Sequence, residues 1–196
     1  MHTELTIPSG DFRAYLFDCD GTVAGSMPVH WRAWSAAIAE QGGIFPEELF
    51  HAWGGITLHT TVEMLNERFQ LSMPVTETVR RKEELYLELL PQVQPVHCVL
   101  DHIHAQHGKI PFAIVSGSPR ASVIKTLNSL GLADKFDEIV GAEDYRQGKP
   151  NPEPFLMAAR LLNVPPSQCL VFEDSDAGIA SAKAAGMASV KVPRPS

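Results

Sequence analysis

Five short, nearly continuous apolar segments recur along the chain, and most of them are followed by small or acidic residues. A strand that is buried on both faces requires such near-continuous hydrophobicity, because neither face meets water. We therefore predict buried β-strands at residues 14–17, 111–115, 138–140, 169–172 and 188–192.

Amphipathic helical patterns separate the later apolar segments. They cover residues 121–130, 154–162 and 178–185, and each ends at glycine or asparagine, the residues that commonly terminate helices. Alternating strands and helices favour right-handed crossovers and a parallel sheet, whose strands all deliver their carboxyl ends to one edge. The predicted fold class is α/β, with a Rossmann-like doubly wound parallel sheet.

A long segment after the first strand interrupts this alternation. Residues 28–92 contain no convincing strand pattern, and their junctions with the rest of the chain are rich in glycine and proline. Amphipathic patterns predict helices at residues 29–40, 47–53, 58–69 and 75–90. We interpret residues 28–92 as an all-helical inserted domain, and residues 1–27 together with 93–196 as an α/β core.

Composition and charge narrow the classes of function. The 196 residues are 44% hydrophobic and 20% charged, as in ordinary globular proteins. A net charge of -7 argues against broad nucleic-acid binding and against an anionic membrane surface. No signal peptide or membrane span is apparent, and the three cysteines lack metal-ligand spacing, so we expect a cytoplasmic protein. The oligomeric state is left open, and a monomer is compatible with the sequence.

Acidic side chains follow two of the predicted strands. Asp18 and Asp20 come directly after the first strand, and Gly21 allows the chain to bend so that both can face one cavity. Glu173 and Asp174 follow the fourth strand, at the same edge of the sheet. Carboxylates so close to a buried strand need compensation, and Mg²⁺ prefers oxygen ligands of this kind. The sequence therefore predicts a Mg²⁺ site at this edge.

Two further segments suit an anionic ligand. Ser116, Gly117 and Ser118 form a turn after the second strand, where hydroxyls and free backbone amides can meet a phosphoryl oxygen. Lys149 lies in a proline-rich loop that would hold its ammonium group in a fixed place. Each signal is weak alone, because serine turns usually cap helices and loop lysines are usually solvated.

Taken in order, these segments resemble the four motifs of the haloacid dehalogenase-like phosphohydrolases. The motifs are Asp18-Cys19-Asp20-Gly21-Thr22, the strand-end Ser116, Lys149-Pro150, and Glu173-Asp174-Ser175. The resemblance runs from about residue 15 to 192 and is closest to the β-phosphoglucomutase and sugar-phosphatase branch, which has a small helical cap.

The resemblance implies a catalytic role for each motif. Asp18 would attack phosphorus and become an aspartyl phosphate, and Asp20 would act as the general acid and base. Ser116 and Lys149 would hold the phosphoryl oxygens, with Thr22 supporting the first loop.

The resemblance also implies a ligand set for Mg²⁺. The ion would be bound by the carboxylates of Asp18 and Asp174 and by the backbone carbonyl of Asp20. Glu173 would support these ligands or replace one of them. The expected activity is hydrolysis of a small phosphoester, with a sugar phosphate favoured.

Substrate contacts are expected from the cap. His30 matches a histidine that relatives place near the active site, and Trp53, Gly55, Thr57 and His59 lie where relatives contact the substrate. The mutase pattern expects a basic residue shortly after Gly55, and none is present. Residues 28–92 carry five basic and nine acidic residues, so a phosphatase is favoured over a phosphomutase.

Other functions are less consistent with the sequence. A signalling receiver domain also gathers acids at parallel strand ends, but it has no helical insert after its first strand. The dehalogenase branch lacks the second carboxylate, which is present here as Asp20. The sequence leaves three features open: the glycine at position 25, where many relatives have an acid, the role of Arg120, and four histidines between residues 97 and 107.

Overall fold

A five-stranded parallel sheet forms the centre of the protein in the computed structural model, which describes residues 5–54 and 56–193. The strand order is β3-β2-β1-β4-β5, with every neighbouring pair parallel. The strands are β1 (Ala14–Phe17), β2 (Phe112–Val115), β3 (Glu138–Val140), β4 (Cys169–Glu173) and β5 (Ala188–Lys191). Their bounds agree with the predicted strands to within one residue.

Eight α-helices lie in the described ranges. They are α1 (Met27–Glu40), α2 (Glu47–Ala52), α3 (Leu58–Phe69), α4 (Val75–Leu89), α5 (His97–Gln106), α6 (Arg120–Ser129), α7 (Glu153–Leu161) and α8 (Asp176–Ala184). The apolar pattern does not predict α5, because half of its ten residues are polar, three of them histidines, and only Val99 and Ile103 are fully buried.

The sheet has a hydrophobic core on each of its two faces. Alternate strand residues point to opposite faces, so Phe17 packs with α5 and α6 and Leu16 packs with α7 and α8. The strands are therefore buried on both sides, as their continuous hydrophobicity requires. This arrangement confirms the predicted doubly wound α/β fold.

The segment between β1 and α5 is helical and has a small core of its own. That core is formed by side chains such as Trp34, Ile38 and Leu65. Val29 of α1 and Tyr86 of α4 pack instead into the core on the α5 and α6 face of the sheet. The hydroxyl of Tyr86 also lies 2.8 Å from the Thr126 hydroxyl of α6 in a buried hydrogen bond. The helical segment is thus anchored to the sheet layer through α1 and α4.

None of the helices in the described ranges is long and apolar enough to cross a bilayer.

Packing of α5 against the sheet gives a direct test of this core. Ile103→Ala should lower the free energy of unfolding by about 2–5 kcal/mol, because it removes a fully buried side chain and leaves a cavity. Ile124→Ala is the matched control, since Ile124 on α6 is 38% exposed and should cost much less. Urea denaturation would measure both, and equal losses would contradict the described burial.

Candidate active site

A cavity of about 110 Å³ lies between the carboxyl edge of the sheet and the helical segment. Its sheet side is built from residues that follow β1, β2 and β4 and from the loop that precedes α7. These residues are Asp18, Asp20, Ser116, Gly117, Ser118, Lys149, Glu173, Asp174 and Ser175. Residues far apart in the sequence meet there because parallel strands end at a common edge.

A tight turn after β1 brings Asp18 and Asp20 to the same cavity. The backbone amides of Val23 and Ala24 donate to the carbonyl of Cys19, at 3.0 and 2.9 Å, which closes the turn. Gly21 has a φ of +96°, and a Cβ at this position would lie 2.7 Å from the carboxylate of Asp174. Glycine is therefore needed both for the backbone conformation and for the close approach of the β4 edge.

The ammonium group of Lys149 links the ends of three strands. Its Nζ donates to Asp18 Oδ1 at 2.6 Å, to Glu173 Oε2 at 2.7 Å and to the carbonyl oxygen of Val115 at 3.0 Å. Burial alone would lower the pKa of Lys149, but the carboxylates of Asp18 and Glu173 raise it well above its ordinary value. Lys149 is therefore a buried, fully protonated cation.

Three carboxylates cluster at this edge of the sheet, and two of them, those of Asp18 and Glu173, contact Lys149. Oxygen atoms of Asp18, Glu173 and Asp174 lie within 4.8 Å of one another. Burial, followed by the charge of Glu173, raises the pKa of Asp18 well above its ordinary value of 3.8, because one lysine cannot neutralise three acids. An all-oxygen donor set with excess negative charge suits Mg²⁺.

The hydrogen bonds of Glu173 distinguish it from the other two acids. One oxygen accepts from Lys149, and the other accepts from the backbone amide and the hydroxyl of Ser175, both at 2.8 Å. A Cβ on Gly178 would collide with this carboxylate, so α8 begins directly against it. Glu173 is thus oriented by the protein, which suits a residue that supports the ligands Asp18 and Asp174.

The side chain of Asp20 lies in a different environment. Its Oδ1 accepts from the hydroxyl of Ser26 at 2.7 Å and from His30 Nε2 at 2.9 Å, and its Oδ2 accepts from the hydroxyl of Ser118 at 2.8 Å. Burial would raise the pKa of Asp20, but His30, Ser26 and Ser118 together lower it below its ordinary value. Asp20 is therefore held as a carboxylate in this arrangement.

A second lysine, Lys82, contacts His30 and is not identified by the sequence analysis. Lys82 Nζ of α4 lies 2.9 Å from His30 Nδ1 and 2.7 Å from Glu83 Oε1. Because an ammonium group only donates, His30 Nδ1 accepts, and its Nε2 carries the proton donated to Asp20. Burial, followed by the charge of Lys82, lowers the pKa of His30.

The helical phase of α4 is the signal that could have identified Lys82. Lys82 lies four residues from Thr78 and from Tyr86, and all three are buried on one face of the helix. In the sequence, Lys82 falls within five consecutive charged residues, 80–84, which are typical of a solvated face.

The turn after β2, which the sequence predicts to bind phosphate, borders the cavity as a unit. Ser116, Gly117 and Ser118 all line it, and the amide of Ser118 donates to Ser116 Oγ at 3.0 Å. The hydroxyl of Tyr145 donates to the carbonyl of Ser116 at 3.0 Å and so supports the turn from outside.

Three predicted contact residues do not line the cavity: Thr22, Thr57 and His59, the last of which is exposed. Thr22 is buried beneath the first loop, and its hydroxyl oxygen has no hydrogen-bond partner among the described residues. Thr57 caps α3 by accepting the amide of Thr60 at 3.3 Å. Gly55 lies outside the described residues, and the neighbouring Gly54 lines the cavity. The roles proposed for Thr22, Gly55 and Thr57 stay predictions.

Arg120 is held away from the cavity by acidic residues of the turn after β3. Its guanidinium donates to Asp144 Oδ2 at 2.7 Å, and its backbone amide donates to the carboxylate of Glu143. A Cβ on Gly141 would collide with the backbone of Arg120, so the two segments are in direct contact. Arg120 therefore ties α6 to this turn.

The histidines of α5 do not form a metal site with one another. Within the described ranges, Asp18, Glu173 and Asp174 are the only group of potential ligands that is close enough to hold an ion. His97 and His104 are exposed, as expected for a solvated helix face, whereas His102 is half-buried beside Phe172.

The chain belongs to the haloacid dehalogenase-like hydrolases. A family model with this description matches residues 12–186, which include the whole sheet edge described above except the end of β5. The family assignment confirms the resemblance carried by the four motifs.

Individual relatives match over most of their length. The chain is 34% identical over 182 residues to "Fructose-1-phosphate phosphatase YqaB" of Escherichia coli strain K12, covering 92% of this chain and 96% of that protein. It is 31% identical to "Beta-phosphoglucomutase" of Bacillus subtilis strain 168, covering 92% and 83%. The crystal structure of a β-phosphoglucomutase from Clostridium difficile superposes with a TM-score of 0.79 at 30% identity, covering 91% of this chain and 83% of that one.

The raised pKa of Asp18 predicts how stability depends on pH and Mg²⁺. A carboxyl whose pKa is raised on folding stabilises the fold below its unfolded value, and this contribution is lost as the pH rises through the folded value. Without divalent cations, the melting temperature should therefore fall as the pH rises above about 4, relative to Asp18→Asn, which lacks the charge.

Thermal unfolding in EDTA and in MgCl₂ would measure this difference. Mg²⁺ should raise the melting temperature of the wild type most where Asp18 is ionised, and it should raise that of Asp18→Asn much less. Equal effects of Mg²⁺ on both proteins at neutral pH would remove Asp18 from the metal site.

Proposed function

We propose that the protein is a Mg²⁺-dependent phosphatase that hydrolyses a small phosphorylated metabolite through an aspartyl phosphate on Asp18. The observation that carries this proposal is the arrangement of Asp18, Asp20 and Lys149 at one cavity. A carboxylate held by a buried cation and facing a second carboxylate suits nucleophilic attack followed by proton transfer.

Lys149 would position both reactants of the first step. Its bond to Asp18 Oδ1 orients the nucleophile, and its charge, with the hydroxyls of Ser116 and Ser118, would attract the phosphoryl oxygens. Mg²⁺, held by Asp18, Asp174 and the backbone carbonyl of Asp20, would offset the repulsion between nucleophile and substrate. Asp18 would then attack phosphorus and the ester oxygen would leave, so that one P–O bond forms as another breaks.

Asp20 would act in both steps. As a carboxylate bound by Ser26 and His30, it is ready to take a proton from the water that attacks the aspartyl phosphate. A phosphoryl dianion beside Asp20 would raise its pKa, since like charges disfavour ionisation. The substrate itself would thus favour the protonated form, which must donate a proton to the leaving alcohol.

The substrate class is inferred from the relatives and from the helical segment. The Escherichia coli relative is named as a phosphatase of fructose 1-phosphate, which supports a small sugar phosphate as substrate. Helices α1 to α4 cover the cavity on the side away from the sheet, and we propose that residues 28–92 act as a cap over it.

A phosphomutase is the alternative, because the Bacillus subtilis relative is named β-phosphoglucomutase. In that reaction the phosphoryl group would pass from Asp18 to a second sugar hydroxyl instead of water. The absence of a basic residue shortly after Gly55 favours the phosphatase, since Ile56 and Leu58 line the cavity there.

A panel of sugar phosphates would test the proposed function. With Mg²⁺ the wild type should release inorganic phosphate from at least one member, whereas EDTA should abolish release. Asp18→Asn should remove activity while the circular dichroism spectrum stays unchanged, because the amide cannot attack phosphorus. Isomer interconversion without phosphate release, dependent on a bisphosphate, would establish the mutase instead.

The two roles of Asp20 can be separated by the choice of leaving group. Asp20→Ala should lower steady-state turnover of alkyl phosphates by about 10²–10⁴-fold, the usual contribution of general acid-base catalysis. With p-nitrophenyl phosphate, whose leaving group needs no proton, the same variant should show a burst of nitrophenol close to the enzyme concentration, followed by slow turnover. Wild-type rates on alkyl phosphates would exclude Asp20 from proton transfer.

A further inference from the structure

Much of the cap side of the cavity is an apolar and mostly aromatic wall, which lies beside the polar residues His30, Thr61 and Lys82. The wall is formed by Trp34, Phe45, Phe50, Trp53, Ile56 and Leu58. Trp34, Phe45 and Phe50 are also buried in the core of the helical segment, so the wall is part of a packed structure. A phosphoester bound with its phosphoryl group at the polar sheet edge would place its leaving group against this wall.

The cations that border the cavity are already paired. Lys149 contacts the carboxylates of Asp18 and Glu173, and Lys82 contacts Glu83 and His30. Both ring nitrogens of His30 are engaged, Nδ1 with Lys82 and Nε2 with Asp20. Among the described lining residues, the positive charge therefore serves the phosphoryl end and the Asp20 side chain. Lys82 Nζ lies 5.5 Å from the ring of Trp34, but its hydrogen bonds are made to Glu83 and His30.

The other basic residues of the helical segment make contacts elsewhere. Each is engaged on the outer surface with a neighbouring side chain of the segment or its junction. Arg32 donates to Gln92, Arg68 lies over the Phe69 ring, Arg80 pairs with Glu77 and Glu84, and Arg81 pairs with Glu40. No other basic residue occurs between residues 28 and 92 except Lys82.

We propose that this wall selects phosphoesters whose leaving group is uncharged, and that it rejects bisphosphates and phosphorylated carboxylic acids. The proposal rests on the proposed function, because it takes the sheet edge as the phosphoryl site. A second anionic group would lose its water against the wall without gaining a partner, which is costly. A neutral alcohol can instead lay its C–H surface against the rings of Trp53 and its neighbours.

Matched substrate pairs test the selection directly. Fructose 1-phosphate and fructose 1,6-bisphosphate differ by one phosphate, and 2-hydroxyethyl phosphate and 2-phosphoglycolate differ by a carboxylate in place of a hydroxymethyl group. In each pair the phosphoester with the uncharged leaving group should have a kcat/KM higher by about 100-fold or more. Equal values within the pairs would overturn the proposal and leave the phosphatase function standing.

Binding provides a readout that does not depend on turnover. Asp18→Asn cannot be phosphorylated, so calorimetry with this variant gives a Kd for each compound. Fructose 1-phosphate should bind at least about tenfold more tightly than fructose 1,6-bisphosphate. If the wild type hydrolyses no member of either pair, the proposed function is not supported. The two Kd values still test whether the wall discriminates against a second phosphate. Equal or reversed affinities would refute it.

A cation added to the wall should relax the selection. Leu58 is the first residue of α3 and is half-buried at the cavity, so an arginine there can reach the second phosphate. Leu58→Arg should raise kcat/KM for fructose 1,6-bisphosphate relative to fructose 1-phosphate by about tenfold or more.

Leu58→Met is the matched control, because it keeps an uncharged side chain of similar volume and should not raise this ratio. Ile56→Arg is a second variant at the same wall, for use if Leu58→Arg does not fold. A folded arginine variant whose ratio equals that of the wild type would contradict the proposal, as would an equal rise in Leu58→Met.

Discussion

The ammonium group of Lys149 is the interaction on which the site depends. Its three hydrogen bonds reach the ends of β1, β2 and β4, so one side chain connects the strands that carry Asp18, Ser116 and Glu173. Without this cation, two buried carboxylates would lie side by side with no partner of opposite charge, which is strongly unfavourable. With it, the cluster still has an excess of negative charge, and this excess is what would attract a divalent cation.

The two aspartates of the first loop differ because their surroundings differ. Burial and the neighbouring carboxylate of Glu173 raise the pKa of Asp18, although Asp18 contacts the cation Lys149. His30, Ser26 and Ser118 lower the pKa of Asp20 despite its burial, and Lys82 contacts the other ring nitrogen of His30. Pairs of carboxylates with pKa values shifted in opposite directions are typical of acid-base sites. Here the opposite shifts follow from the neighbouring acid at Asp18 and from the three hydrogen-bond donors at Asp20.

Most of the fold and half of this site can be predicted from the sequence. Strands buried on both faces leave a clear apolar pattern, and parallel topology brings Asp18 and Glu173 to one edge without knowledge of any contact. Lys82 is an example of a site residue that the sequence does not reveal. Its role depends on the packing of α4 against α1, and His30 lies 52 residues away in the chain. The charged residues around Lys82 conceal this packing, because a single buried lysine barely changes the amphipathic pattern of its helix. The apolar wall opposite the sheet cannot be predicted from the sequence either. Its aromatic residues follow the same pattern as the core residues of any small helical segment.

The residues of the apolar wall differ in how much the fold depends on them. Trp34 packs in the core of the helical segment, and its ring lies 5.5 Å from Lys82 Nζ, so replacing it would disturb both the helices and the support of Asp20. Ile56 and Leu58 are half-buried at and just before the start of α3 and make no polar contact with Asp18, Asp20 or Lys149 among the described residues. Substitutions there would leave Asp18 in place while changing which leaving groups fit the proposed site. Substrate preference on this scaffold should therefore diverge mainly through substitutions at the start of α3, because a charge introduced there would contact the substrate without being buried in the core.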